Sequence, residues 1–450
     1  MIKLHEFITV TIILTMNYTF TAEERKEIIA LMNREIIPAI GCTEPIAVAL
    51  CVAKATETLG CRPERIEARL SANVLKNAMG VGIPGTGMTG LPIAMALGAL
   101  IGKSEYELEV LKDADAAAVE EGKKMIDQKR IDVDLKYNIT EKLYIEIEVF
   151  AGGASAMAII SGGHTRFIHV SRCGEVLFSA EAATSESSAA PATEVKDPEL
   201  TLKKVWDFAM TAPIEELSFI LEAKRLNMNA AHESLKGNYG HAIGKLFRSE
   251  SERNVMGDTL HCQIVGMTTA ACDARMAGAM IPVMSNSGSG NQGLTSTVPV
   301  AVYAEQIKAN EEQTIRSLIL SNLTVIYIKQ SLGRLSALCG CVVAATGSSC
   351  GITYLMGGGY EEVTFAVKNM IANLAGMICD GAKPSCAMKC ASGVSTAVVS
   401  ALMAMNNRCV KSVEGIIDDD VDKSIRNLTD IGRDAMVHTD AMILRIMTSK

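Results

Sequence analysis

Three short cysteine segments carry residue types that can do chemistry. Gly41-Cys42-Thr43-Glu44-Pro45 puts a thiol at a turn just before a helix that begins near Pro45, a favourable first-turn residue. The positive end of that helix would lower the thiol pKa and favour the thiolate, which makes Cys42 a candidate reactive thiol. Further on, Cys339-Gly340-Cys341 ends one helix, and Cys379-Asp380-Gly381-Ala382-Lys383-Pro384-Ser385-Cys386 leaves another. Cys379 follows Cys339 by 40 residues and precedes Cys386 by seven. Three thiolates delivered by two helix ends and a Gly/Pro turn could hold three corners of an iron–sulfur cluster. Compact C-x-x-C-x-x-C spacing is absent, so the spacing alone decides nothing, and Cys341 and Cys390 are rival ligands. Zinc is the competing metal, but it takes four tetrahedral ligands, often with His among them. His5, His164, His169, His232, His241, His261 and His438 lie elsewhere in the sequence and read as hydrogen-bonded structural residues. Cys51 and Cys61 read as buried apolar thiols.

Two Gly-rich runs add polar groups. Residues 73–90 carry Asn73, Lys76 and Asn77, and residues 285–293 carry Ser287, Asn291 and Gln292. Backbone N–H groups in such turns can cradle an anion, so these six, with Thr43 and Glu44, are the candidate substrate-binding residues. Ordinary loop polarity is the alternative. Two motif matches are set aside. Gly80, Gly82 and Gly85 spell the dinucleotide fingerprint, but Pro84 sits inside the loop and no strand–helix–strand unit with a terminal acidic residue follows. Gly347, Ser349 and Gly351 spell a hydrolase elbow without a strand leading into it, which reads as close helix packing of small residues.

The elements that must position these residues follow from hydrophobic periodicity. Helical spacing is read over 22–37, 45–58, 91–101, 313–331, 361–378 and 393–406, and a strand over 65–72. From 131 to 180 the period becomes two, with Gly152-Gly153, Gly162-Gly163 and Gly174 punctuating an expected antiparallel meander. The expected fold class is α+β: an N-terminal part with an antiparallel sheet and helices, then a mostly helical catalytic part. The expected division is a loose extension over 1–15, an α+β domain over 16–181, a linker over 182–200 and a helical domain over 201–450. Met16 opens a segment in which Thr21 and Glu24 spell a capping box, so the natural start is expected there.

Composition narrows the function classes. In 450 residues, 43 Lys and Arg stand against 51 Asp and Glu, and no stretch concentrates the basic ones, so a nucleic-acid partner is not expected. Apolar residues at 48% supply ample core. Thirteen cysteines, odd in number and without short repeating spacing, do not read as a secreted disulfide framework. The apolar run Phe7–Leu14 is too short to span a bilayer, so a cytoplasmic protein without a membrane role is expected.

Together these segments resemble the L-cysteine desulfidases, relatives of the iron–sulfur L-serine dehydratases. The resemblance rests on 41–45, on Asn73, Lys76 and Asn77 with Gly80 and Ile83-Pro84-Gly85-Thr86, on Ser287-Gly-Ser-Gly290-Asn291-Gln292-Gly293, and on both later cysteine segments. It runs in order from about residue 20 to the C-terminus. It implies a [4Fe–4S] cluster, one per subunit, held by Cys339, Cys379 and Cys386, and a catalytic base at Cys42. The implied reaction is β-elimination of L-cysteine to pyruvate, hydrogen sulfide and ammonia without pyridoxal phosphate. L-Serine dehydration with the same cluster is the nearest alternative, and a cysteine-rich redox or metal-binding sensor is the non-enzyme one. The partner implied is a small amino acid, with a homodimer as the default assembly.

Overall fold

The computed structural model describes residues 18–139, 141–180, 197–251, 253–333 and 336–449. The expected extension over 1–15 and residues 182–196 of the expected linker lie outside them. The fold is α+β.

Short polar side chains start several helices. Thr21 accepts the Glu24 amide while Glu24 accepts the Thr21 amide, a reciprocal cap that opens α1 (Ala22–Glu35). Strand β1 (Pro38–Ala39) follows, then α2 (Thr43–Leu59), β2 (Arg65–Leu70), α3 (Ala72–Ala78), α4 (Leu91–Leu100) and α5 (Ala116–Asp127). Strands β3 (Ile131–Leu135), β4 (Tyr144–Ala151), β5 (Ala154–Ser161), β6 (Phe167–Arg172) and β7 (Glu175–Ser179) complete a sheet of order β3-β2-β4-β5-β6-β7. From β4 to β7 the pairing is the expected antiparallel meander. β3 departs from it, running parallel to β2, because a chain that crosses over through helices returns in the same direction. Helix α2 lies on β4 and β5, and one apolar core joins it to α4 and the sheet. Cys51 is buried there, its thiol 3.2 Å from the Ala158 carbonyl. Cys61, expected to be buried, is exposed at the turn that follows α2.

The second half is helical: α6 (Leu202–Thr211), α7 (Ile220–Lys236), α8 (Ile243–Arg248), α9 (Leu260–Met276), α10 (Gly290–Gln306), α11 (Glu311–Leu332), α12 (Gly340–Leu355), α13 (Tyr360–Leu374), α14 (Cys386–Met405), α15 (Val421–Asp430) and α16 (Val437–Thr448). Helix α12 packs on α10, α11, α13 and α14. Its glycines allow this. A side chain at Gly347 would come within 2.4 Å of the Ser321 carbonyl, and one at Gly351 within 2.8 Å of the Ser317 carbonyl. Helix α14 is long and apolar enough to cross a bilayer by composition, yet it packs against α9, α12 and α13.

The two halves exchange segments. Phe20, Ile28, Leu31, Met32, Ile36 and Cys42 join the helical core, not the core of the sheet that follows them. Leu444 of α16 joins the sheet's core. β1 pairs antiparallel with β8 (Val283–Met284), which ties the segment leading into Cys42 to the segment leading into α10. Buried Asn227 fastens that junction, donating to the Met284 and Gly293 carbonyls and accepting the Met284 amide at 2.7–3.1 Å. Only a glycine fits beneath β8, because a Cβ at Gly293 would lie 1.9 Å from the Met284 carbonyl oxygen. Gly293→Ala is therefore expected to lower unfolding stability by about 1–3 kcal/mol, as overpacking against backbone does. Urea denaturation checks this, and an unchanged midpoint would contradict the tight crossing.

Candidate active site

Four helix N-termini meet at one cavity of about 360 Å³. Helix α2 brings Cys42, its N-cap residue, and Glu44, while α10 brings Ser289, Asn291 and Gln292. Helix α12 brings Cys339, its N-cap, with Gly340 and Cys341, and α14 brings Cys386, its first residue. Each terminus presents the positive end of its helix dipole, a setting that favours anions and thiolates, although at α14 the Cys386, Ala387 and Met388 amides already donate to the Lys383, Pro384 and Ser385 carbonyls. Asn77, Ser287, Cys379, His164, Arg275, Lys142 and Lys329 complete most of the polar lining.

Cys42 and Glu44 form a buried pair. The Cys42 thiol donates to Glu44 Oε2 at 2.9 Å, and both residues are less than 10% exposed. Thr43 Oγ1 donates to the same oxygen at 3.2 Å, and Asn77 Nδ2 donates to Oε1 at 3.4 Å. This corrects the expectation that the helix terminus would lower the Cys42 pKa. Burial raises it well above the ordinary thiol value, the Glu44 carboxylate raises it further, and nearby Arg275 only partly opposes them. Cys42 therefore rests as a thiol whose proton points to a carboxylate.

The three cysteines expected to be ligands share the cavity. The Cys339 amide donates to the Met377 carbonyl at 2.9 Å, and the Cys379 amide donates to the Ala337 carbonyl at 2.7 Å. This reciprocal pair, around the Leu338–Ile378 bridge, fixes the two segments side by side. The loop then turns through Gly381 at φ +90°, where a Cβ would lie 2.3 Å from the Lys76 carbonyl, and delivers Cys386. Lys383 and Lys389 brace the loop. Burial would raise Asp380, but these two cations hold it down at about 2. Burial pushes the Cys386 thiol up to about 11 and also raises Cys379, whereas a hydrogen bond from Cys341 lowers Cys339. Among the described residues, no three His, Cys, Asp or Glu side chains converge on a point that would hold a single metal ion. Three thiols spread around one cavity fit a cluster, whose ligands bind different irons, better than one zinc. Of the rivals, Cys341 lines the cavity, and Cys390 lies behind it, fully buried and 3.3 Å from the Cys341 sulfur.

The other expected binding residues divide. Ser287, Asn291 and Gln292 line the cavity, with the Ser287 hydroxyl donating to Asn286 at 2.9 Å. Thr43 lines an adjacent cavity. Lys76 does not reach the site. It is buried and ion-paired with Asp440 of α16, where its charge favours the Cys379 thiolate. Asn73 faces a separate cavity with Lys142, Ser336 and Asp440. Sequence reasoning missed Arg275 and Lys329 and set His164 aside as structural, although all three line the site. For Arg275 a signal was present, an arginine in the small-residue stretch Ala270-Ala-Cys-Asp-Ala-Arg275.

The Cys42–Glu44 pair is open to a chemical check. Glu44→Gln removes the carboxylate that raises the Cys42 pKa, so iodoacetamide should label Cys42 roughly tenfold faster at pH 8, since the thiolate is the nucleophile. Mass spectrometry of the Cys42 peptide reads the rate, and an unchanged rate would remove Glu44 from that role.

The sequence is similar to a described family over most of its length. The family model described as the serine dehydratase alpha chain matches residues 105–445. A UPF0597 protein of Bacteroides fragilis is 67% identical over 430 residues, 96% of this chain and 99% of the relative. Others come from Porphyromonas gingivalis, 54% identical over 95% of this chain and 99% of the relative, and Oleidesulfovibrio alaskensis, 46% identical over 94% and 97%. The names of these relatives carry no substrate; the family match supports a serine-dehydratase-like lyase with an iron–sulfur centre and not the desulfidase branch in particular. The chain belongs to the serine dehydratase alpha-chain family.

Proposed function

We propose that this chain catalyses β-elimination of L-cysteine, giving hydrogen sulfide, pyruvate and ammonia. The observation that carries the reading is that a buried thiol–carboxylate pair and four further thiols, Cys339, Cys341, Cys379 and Cys386, line one small cavity. Cys339, Cys379 and Cys386 would hold a [4Fe–4S] cluster, one per subunit, which with three protein ligands would supply a Lewis-acidic iron to the leaving sulfur.

The chain's own residues do the proton work. Glu44 takes the proton that Cys42 already directs at it, and the thiolate so formed removes the proton from the substrate Cα. Thr43 and Asn77 hold Glu44 in place through their hydrogen bonds to its two oxygens. Loss of hydrosulfide leaves aminoacrylate, which isomerises to an imine and hydrolyses to pyruvate and ammonia without further catalytic groups. A cavity of about 360 Å³ suits a substrate of this size. No pyridoxal phosphate enters the reaction. The substrate is the only partner required, no nucleic acid or membrane takes part, and the enzyme acts in the cytoplasm, as a homodimer by default.

L-Serine dehydration is the second reading, favoured by the description of the matched family. The ratio of kcat/KM for the two amino acids decides between them. A non-enzymatic sensor is disfavoured by an open cavity beside the thiols that also holds Arg275, Asn291 and Gln292. Cys42→Ala is expected to cut sulfide and pyruvate release by about 10²–10⁴-fold, the usual worth of a general base, with brown colour retained. Cys379→Ser is expected to lose both colour and activity. Full activity of Cys42→Ala would contradict the base assignment.

A further inference from the structure

Two buried polar groups in the cavity have atoms without partners. Arg275 is 5% exposed, and its Nε has no hydrogen-bond partner. Its Nη1 donates to Asn291 Oδ1 and its Nη2 to the Gly41 carbonyl, both at 3.0 Å. Two of its five donors are thus used in stretching the guanidinium between the turn that carries Cys42 and the turn that opens α10. Gln292 is 4% exposed, and its Oε1 accepts nothing. Gly340 keeps the Gln292 amide next to Cys339, since a Cβ there would stand 3.1 Å from Gln292 Cγ. Unsatisfied polar atoms this deep are costly unless a ligand completes them. One is a fixed cation with donors to spare, and the other is an acceptor.

We infer that Arg275 and Gln292 form a cradle for the two charged ends of an α-amino acid, with Arg275 taking the carboxylate and the Gln292 side-chain oxygen taking the ammonium. The inference rests on the proposed elimination only in identifying the ligand as an amino acid. Arginine suits the carboxylate because its planar fork matches two oxygens. Lys142 and Lys329 also line the cavity, but Arg275 is the cation hydrogen-bonded to both turns and close enough to Cys42 to oppose its high pKa. An amino acid held this way has its Cα between Arg275 and Gln292, in the cavity that Cys42 and Cys339 also line. The cradle reads the zwitterion and leaves the β-substituent to the thiol end of the cavity. It would thus serve L-cysteine and L-serine alike.

The test is calorimetric titration of the anaerobic holoenzyme with L-alanine, which carries both charged ends and no leaving group, and with propionate and ethylamine, which carry one each. L-Alanine is expected to bind at least tenfold tighter than either. Gln292→Leu should weaken L-alanine at least tenfold towards the propionate level while leaving propionate unchanged, and Gln292→Glu should restore L-alanine. Arg275→Lys should weaken L-alanine and propionate by about tenfold or more and leave ethylamine unchanged. Propionate binding as tightly as L-alanine to the wild type, which needs no variant to fold, would overturn the inference. So would a Gln292→Leu protein that loses both ligands equally. The expected pattern in a protein that does not turn over L-cysteine would uphold the cradle and fail the proposed function alone.

Discussion

The site depends on four helix N-termini converging on one cavity. Such a meeting concentrates positive dipole ends in a small volume, which anions and acceptors stabilise. Thiols, a carboxylate and an open space for a substrate carboxylate do so here. Bringing the termini together requires close approach at glycines, to backbone at Gly293 and Gly381 and to a side chain at Gly340. Gly293 lies under β8, Gly381 lies against Lys76, and Gly340 lies against Gln292. Arg275 then joins the Cys42 turn to the α10 turn with one guanidinium. The glycines are the geometric condition for the chemistry.

Burial sets the chemistry of Cys42 more than the helix terminus does. A partial positive charge at an N-terminus is worth a fraction to a few kcal/mol, whereas complete desolvation of a thiolate beside a carboxylate acts more strongly in the opposite direction. The result is a protonated thiol with its acceptor in place, a resting pair that needs a proton transfer within the site before it can act as a base. Arg275 opposes this partly, so a substrate carboxylate that neutralises Arg275 would also bear on the Cys42–Glu44 equilibrium.

The sequence made local chemistry legible and long-range placement illegible. Cys42, Asn291, Gln292, Cys339, Cys379 and Cys386 were found because their glycine and proline neighbours mark turns, and the structure brings all six to one cavity. The long helices and the β4–β7 meander were readable from their periods. Lys76 was misjudged because its partner, Asp440, lies 364 residues away, and no local pattern announces such a pairing. Arg275 was missed because a single arginine in a helix ordinarily faces solvent, and only the packing of α9 against α10 and α14 buries it. Likewise α1 has the pattern of any amphipathic helix, which does not say that it packs on the later helical core. The parallel pairing of β3 depends on the crossover through α3, α4 and α5, which periodicity alone does not order.

The central claim is that the three thiols of Cys339, Cys379 and Cys386 hold a cluster that serves an elimination reaction. Protein purified without air, supplied with L-cysteine, and measured for iron, visible absorbance, sulfide and pyruvate tests it most directly. The account expects a brown protein with iron for one cluster per chain that releases sulfide and pyruvate in equal amounts. A colourless, iron-free protein that stays inactive after cluster reconstitution would contradict it and return the three thiols to a packing role.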